Sequence, residues 1–281
     1  MTLNEYYLFP EGTNASLSFQ TNWFCEHPNY PCPSDMKYAF YGYRGSYVPP
    51  LDTSNVTEMS YMFEYAYGVT ELDLTGWNVG NVTEMSYMFN YFKTLTSINL
   101  SGWDTSKVKK MKYMFAECEN ITELDLSGWD VSNVTDMSYM FNNLRNATSI
   151  NLSGWDTSKV TTMNIMFGGC SKLTAISSID CSGLSTKNYY PLYSTSENTT
   201  LTDVGGFLNM KMTWDNNYGL TKFPNLTYES CINILNGLYD FTGNGETPTS
   251  NQGKLKVHSN FLTLVGDEIS IGVNKGWTIT A

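Results

Sequence analysis

Charge is scarce in this chain. Only 15% of the 281 residues are Asp, Glu, Lys or Arg, well under the roughly one quarter typical of soluble domains. What charge there is leans one way, with 16 Lys+Arg against 27 Asp+Glu and a net charge of -11. Such a chain repels phosphate backbones and anionic bilayers at long range, which argues against nucleic-acid or membrane partners. Long apolar runs are missing too. No stretch approaches the ~20 apolar residues of a membrane helix, so membrane insertion is not expected. The start, MTLNEYYLFPEGT, has neither a basic n-region nor an apolar h-region, and the end has no lipid-anchoring signal. The expectation is a protein made in a cytoplasm, or one whose leader has been lost. Six cysteines in 281 residues are too few for a disulfide scaffold. The only histidines are His27 and His258, in regions expected to be far apart. No Ser/His/Asp or Cys/His arrangement, P-loop, dinucleotide fingerprint or HExxH is present. The expectation is a chain that is not an enzyme, with no cofactor and no metal. Aromatics, at 15%, are abundant enough to build a core, which excludes disorder.

The central third is periodic. Trp77, Trp103, Trp129 and Trp155 are each 26 residues apart, and Phe63, Phe89, Phe115, Phe141 and Phe167 keep the same step. So do the rows that begin at Val56, Met59 and Met62. In the copy Ile121 to Phe141, Leu124 and Leu126 alternate with Glu123, Asp125 and Ser127, the pattern of a short strand with one buried face. Gly128 marks a turn. Thr135 then stands where a helix cap would, with Met137, Met140 and Phe141 at helical spacing. One strand and one short helix in 26 residues fit a leucine-rich-repeat unit, and stacked units share a continuous core and a parallel sheet. The expected organisation is an N-terminal cap with a worn repeat over residues 1–50, five 26-residue repeats over 51–180, and irregular repeats closed by a cap over 181–281. In that last part a helix is expected from Tyr228 to Tyr239, strands at Lys254–His258 and Trp277–Ile279, and a short helix at Asp267–Asn274.

The copies LDLSGWDVSNVTDMSYMF (124–141) and INLSGWDTSKVTTMNIMFGGCSKLTAI (150–176) resemble the BspA-like leucine-rich repeats. The tail segments LTDVGGFLNM, LTYESCINILNGLYDF and NKGWTIT look like the C-terminal part of such chains, which gut bacteria and their phages encode. The resemblance implies an α/β solenoid, a right-handed superhelix with a parallel sheet. It also implies attachment to surfaces, matrix proteins or other cells rather than catalysis. Joined to the absence of an export signal, it favours a bacteriophage virion protein, a tail-fibre or surface structural component for receptor binding. Its partners would be a host cell-surface protein or glycan, neighbouring virion proteins, or a second copy of itself. The alternatives are a bacterial cell-surface adhesin and a carbohydrate-binding accessory module.

Two surface stripes are candidate binding faces. One is the sheet face, with Asp73, Asn99, Asp125 and Asn151 in register; the other is the row Tyr61, Tyr87, Tyr113 and Tyr139, ended by Ile165. On a short helix the tyrosines would point away from the Met/Phe side. Rigid, amphipathic tyrosine suits glycan or protein contacts; mutual packing, with a staple onto the Val row, is the other reading and the preferred one. The row Asp52, Asn78, Asp104, Asp130 and Asp156 could bind Ca²⁺ or could hold backbone N–H groups locally, and the second reading is preferred because the residue recurs in nearly every copy. Cys118 and Cys170 are expected as free, buried thiols, and Cys25 with Cys32 as unpaired or joined in one local bridge.

Overall fold

The computed structural model describes residues 31–184, 191–192, 198–210, 220–248 and 253–281. Copies of the repeat lie side by side and pair in parallel. Strand β1 (Glu71–Asp73) pairs with β2 (Ser97–Asn99), and β3 (Glu123–Asp125) with β4 (Ser149–Asn151), each residue opposite the one 26 further on. A second ladder of single bridges runs Glu58, Glu84, Lys110, Asp136, Thr162 at the same offset. Between the ladders sits the core. The Val, Met and Phe rows are buried in every copy, and Trp77, Trp103 and Trp129 with them. The phenylalanines stack on their neighbours, with Phe89 and Phe115 5.2 Å and Phe115 and Phe141 6.1 Å apart at their ring centres.

No short helix forms within the copies, contrary to the reading of Thr135 and Met137–Phe141. The backbone donors explain why. N–H groups of Met59, Tyr61, Phe63 and Tyr65 donate sideways to Glu84, Ser86, Met88 and Asn90 of the next copy, at 2.7 to 3.0 Å. Those of Met62, Glu64 and Ala66 donate locally, to the carbonyl three residues back. A helix would have to direct every N–H along its own axis. Here alternate donors are taken by the neighbour, and a left-handed residue at every fourth position re-aims the peptide: φ is +60° at Tyr61 and +57° at Tyr65. Thr135 is not a cap either. Its N–H and hydroxyl both donate to the Lys109 carbonyl, at 2.9 and 3.2 Å.

The copies alternate in kind. Gly102 and Gly154 adopt φ of +82° and +85°, and the equivalent Gly76 and Gly128 do not. Trp103 and Trp155 donate their indole N–H to Leu74 and Leu126 of the preceding copy, at 2.9 and 2.8 Å. Thr53, Thr105 and Thr157 are buried and donate to carbonyls of the following copy, whereas Val79 and Val131 fill the intervening positions. Cys118 and Cys170 bond the Phe89 and Phe141 carbonyls through Sγ, where Phe92 and Leu144 occupy the other copies. Strand pairing follows the same alternation. β2 and β3 are not joined by strand hydrogen bonds, so the continuous sheet expected from the sequence is a series of two-stranded pairs, each ending where a left-handed glycine follows its second strand.

The stack continues beyond the regular frame. At its start Met36, Tyr38, Phe40 and Gly42 donate to Glu58, Ser60, Met62 and Glu64, the same ladder at a shorter offset. After Asp180 the offset lengthens. Strand β5 (Ala175–Ile176) pairs with β7 (Asp203–Val204), and β6 (Ile179–Asp180) with β8 (Phe207–Leu208), 28 residues on. Helix α1 (Tyr228–Gly237) is capped by Thr227, whose hydroxyl accepts from Ser230 N, and it buries Cys231, Ile234 and Leu235 on one face. Strand β9 (Lys254–Lys256) pairs with β10 (Thr278–Thr280) at an offset of 24. Between them lie α2 (Ser259–Val265), absent from the sequence reading, and α3 (Ser270–Asn274), which fits the expected helix there. His258 caps α2, its ring Nδ1 accepting from Asn260 N. Cys25 and His27 lie outside the described residues. Cys32, Cys118, Cys170, Cys181 and Cys231 are free and buried, and burial pushes the Cys32 and Cys170 thiols up to about 12.

Candidate binding face

The expected tyrosine row is a single stack of rings. Centroids of Tyr61 and Tyr87, Tyr87 and Tyr113, and Tyr113 and Tyr139 are 4.6, 4.7 and 4.4 Å apart, with planes within 10° of parallel. Tyr38 extends the stack at 4.9 Å. Each ring springs from a left-handed residue, and so does Ile165 where the row ends. For residues other than Gly, Asn or Asp this conformation costs of order 1–2 kcal/mol. Its recurrence in register shows that the lateral ladder over-determines it. Because the stack does not stand on a helix, the rings from Tyr61 to Tyr139 are half-buried rather than pointing fully outward, and only Tyr38 at its end is exposed. Burial raises the phenols of Tyr61 and Tyr87, and it takes Tyr113 up to about 12 with added repulsion from Tyr139 and Tyr87. These phenols are therefore neutral donors at physiological pH.

A second, shorter row was missed. Tyr65 and Tyr91, four residues after Tyr61 and Tyr87, stack at 4.9 Å, and Tyr41 meets both Tyr38 and Tyr65 edge-on at 5.7 Å. Tyr65 and Tyr91 are exposed. Their 26-residue spacing was visible, but with only two rungs before Glu117 and Asn143 the row carried little signal. Between the rows, Glu64 and Asn90 are buried and joined by a 2.6 Å bond from Asn90 Nδ2 to Glu64 Oε1. Asn90 Oδ1 has no hydrogen-bond partner among the described residues. Burial raises the Glu64 carboxyl above its ordinary range, and the Asn90 bond opposes that only in part.

The sheet-face candidates are exposed, and each is committed locally. Asp73, Asn99, Asp125 and Asn151 accept through Oδ1 from the N–H two residues on, at 3.0 to 3.2 Å. Asp73 pairs with Asn99 and Asp125 with Asn151. No strand bond joins the two pairs, so the face is interrupted. The row Asp52, Asn78, Asp104, Asp130 and Asp156 makes the same turn with residues 54, 80, 106, 132 and 158. The hydroxyl of the serine two residues on, and after it that serine's N–H, holds each of Asp52, Asp104, Asp130 and Asp156 below the usual carboxylate range. The repeated local bond explains this row without a cation.

Beyond the end of the tyrosine stack a cavity of about 540 Å³ is lined by Tyr139, Asn143, Arg145, Ile165 and Cys170 among others. Arg145 is its only charged lining residue among those described.

The chain as a class is a stack of parallel-paired repeats with aromatic rows on its surface. The model of the family described as Mycoplasma protein of unknown function, DUF285, matches residues 34–148 and again 90–203. These matches span more than half of the chain, which therefore belongs to this family, the BspA-like repeats. No curated protein and no solved structure matches it.

Proposed function

We propose that this chain is a BspA-type leucine-rich-repeat solenoid that works by binding a surface ligand, not by catalysis, and that its tyrosine face is the contact. The observation that carries this reading is the row of five tyrosines at 4.4 to 4.9 Å spacing, flanked by the exposed Tyr65 and Tyr91. Rigid rings with a polar edge make contacts at small cost in side-chain entropy. A periodic row also suits a repetitive ligand such as a cell-surface glycan or a repeated protein. The setting we favour is the surface of a phage particle, on the resemblance of the C-terminal segments; a bacterial cell surface is the rival setting.

Binding of the labelled chain to a panel of intact gut bacteria tests the reading. The paired variant Tyr87→Ile with Tyr113→Ile carries the residue that the same register holds at Ile165. Strain-selective binding by the parent, lost in a variant that still unfolds cooperatively, is expected. Selective binding kept by the variant would move the contact off the tyrosine face. No binding to any strain would refute the surface-ligand reading.

A further inference from the structure

One copy is unlike the others. Where neighbouring copies read Asn-Val-Thr-Glu-Met-Ser-Tyr (81–87) and Asn-Val-Thr-Asp-Met-Ser-Tyr (133–139), residues 107–113 read Lys-Val-Lys-Lys-Met-Lys-Tyr. Four of the chain's 16 basic residues thus fall within six positions of an otherwise acidic protein. Val108 is buried, and Lys107 and Lys109 on either side of it are exposed. They line one shallow groove of about 560 Å³ with Thr83, Ser106, Lys110, Asn133 and Thr135.

The charge in this groove is poorly compensated. Lys110 has a carboxylate in each adjoining copy, Glu84 at 3.6 Å and Asp136 at its bridge partner position. Lys107 and Lys109 have none in their rows, although the Asp104 carboxylate, three residues before Lys107, lies close enough for the lysine's charge to lower its pKa. Lys107 faces Asn81 and Asn133, and Lys109 faces Thr83 and Thr135. The Lys107 ammonium donates to Asn81 Oδ1 at 2.7 Å, which leaves two of its three N–H donors. Lys159 reaches the far wall, donating to Asn133 Oδ1 at 2.9 Å. Among the described residues the Lys109 ammonium has no partner. Lys112 leads from this patch to the tyrosine stack, with its nitrogen 5.5 Å from the centre of the Tyr113 ring.

Accepting the binding role proposed above, we infer that this groove is an anion seat and that the ligand is an acidic polysaccharide. The ammonium groups of Lys107 and Lys109 suit a carboxylate, sulfate or phosphate on a polyhydroxylated chain; they carry the contact themselves, because the Thr83 and Thr135 hydroxyls already donate to the Thr57 and Lys109 carbonyls and Asn133 Nδ2 donates to the Ser106 carbonyl. The neighbouring tyrosine edges suit its sugar rings. A duplex nucleic acid fits less well. The net charge of -11 repels a dense polyanion, whereas screening within about 8–10 Å lets a sparsely charged chain meet only the local patch.

The test is titration of the full chain with polygalacturonate, poly(glycerol phosphate), neutral dextran and duplex DNA, each across a salt series. The key variant is Lys107→Asn with Lys109→Thr. It installs what the adjoining copies carry at those registers and so keeps the fold. A variant losing two lysines elsewhere, Lys172→Asn with Lys254→Asn, is the control. We expect at least one acidic glycan to bind, dextran not to, and the key variant to weaken that binding by ten-fold or more. The slope of log K against log salt should fall by about two in the key variant, and the control should behave as the parent. Carboxylate and phosphate polymers binding unequally would name the anionic group. Binding of acidic glycans no better than dextran, equal preference for DNA, or parental affinity in the key variant would each overturn the inference. Cell binding that depends on Tyr87 and Tyr113 but not on Lys107 and Lys109 would overturn it while sparing the tyrosine contact. Glycan binding that depends on the lysines, without any binding to cells, would do the reverse.

Discussion

Phe115 tests the idea that neighbouring copies hold each other. Its ring is fully buried, stacked between Phe89 at 5.2 Å and Phe141 at 6.1 Å and tilted against Trp129 at 6.3 Å. Phe115→Ala removes the ring and leaves a cavity, a change worth about 3–5 kcal/mol where the site cannot collapse. Collapse is opposed here because lateral bonds fix the backbone on both sides, from Phe89 N to Met114 O and from Phe115 N to Met140 O, each 2.9 Å. Two stacked contacts, at about 0.5–1.5 kcal/mol each, lie within that loss, so we expect about 4 kcal/mol. Urea unfolding followed by circular dichroism measures the total. Amide hydrogen exchange locates it: in a stack where copies touch only their neighbours, protection should fall first at Phe89, Tyr91, Phe115 and Glu117, and last in α1 and the β9–β10 pair. A loss under about 1.5 kcal/mol, or protection lost evenly from end to end, would refute the reasoning.

Glu64→Gln should raise stability at pH 7, because the folded state now holds a buried carboxylate whose pKa is raised. For such a group the wild-type contribution is best below the ordinary value of 4.5 and declines as pH rises through the window above it; the advantage of the variant should therefore vanish below about pH 4, as thermal melts across pH would show. Asp52, Asp104, Asp130 and Asp156 have the opposite sign. Their depressed pKa values stabilise the fold above the ordinary value of 3.8, and that contribution is lost as pH falls below it. Replacing all four by Asn, which Asn78 shows can make the same turn, should flatten the acid limb of the melting curve. Thr105→Val keeps the shape but leaves the Asp130 carbonyl without the hydroxyl that meets it at 2.9 Å, a loss of about 1 kcal/mol in urea. Cys118 should resist a thiol reagent until global unfolding, since its thiol is buried and its pKa raised by burial.

Much of the stack was legible before any coordinates. The Trp, Met, Phe and Val rows name the core because period and apolarity coincide, and the Asp row named its own turns. The short helix was misread because the spacing of Met137, Met140 and Phe141 says which side chains go inward and nothing of where their N–H groups point. A run this short is marginal as a helix, and the neighbour's carbonyls at 2.8 to 2.9 Å offer alternate donors a better partner. Left-handed tyrosines leave no mark in a sequence, since tyrosine seldom adopts that conformation. Helix α2 was missed because its cap is a histidine rather than Ser, Thr, Asp or Asn. The lysine patch escaped notice because a net charge averages over the surface on which the patch is the exception.

The alternation between copies bears on how such a chain can change length. Within a pair, the strand bonds, the tryptophan indole and the Lys107–Asn81 or Lys159–Asn133 contact join one kind of copy to the other. Removing a single copy would set like against like and break these contacts; removing residues 71–122 would rejoin identical edges. The unit of growth or loss is thus a double turn of 52 residues. The chain should lengthen or shorten in whole doublets, and a designer extending it should ligate doublets as well.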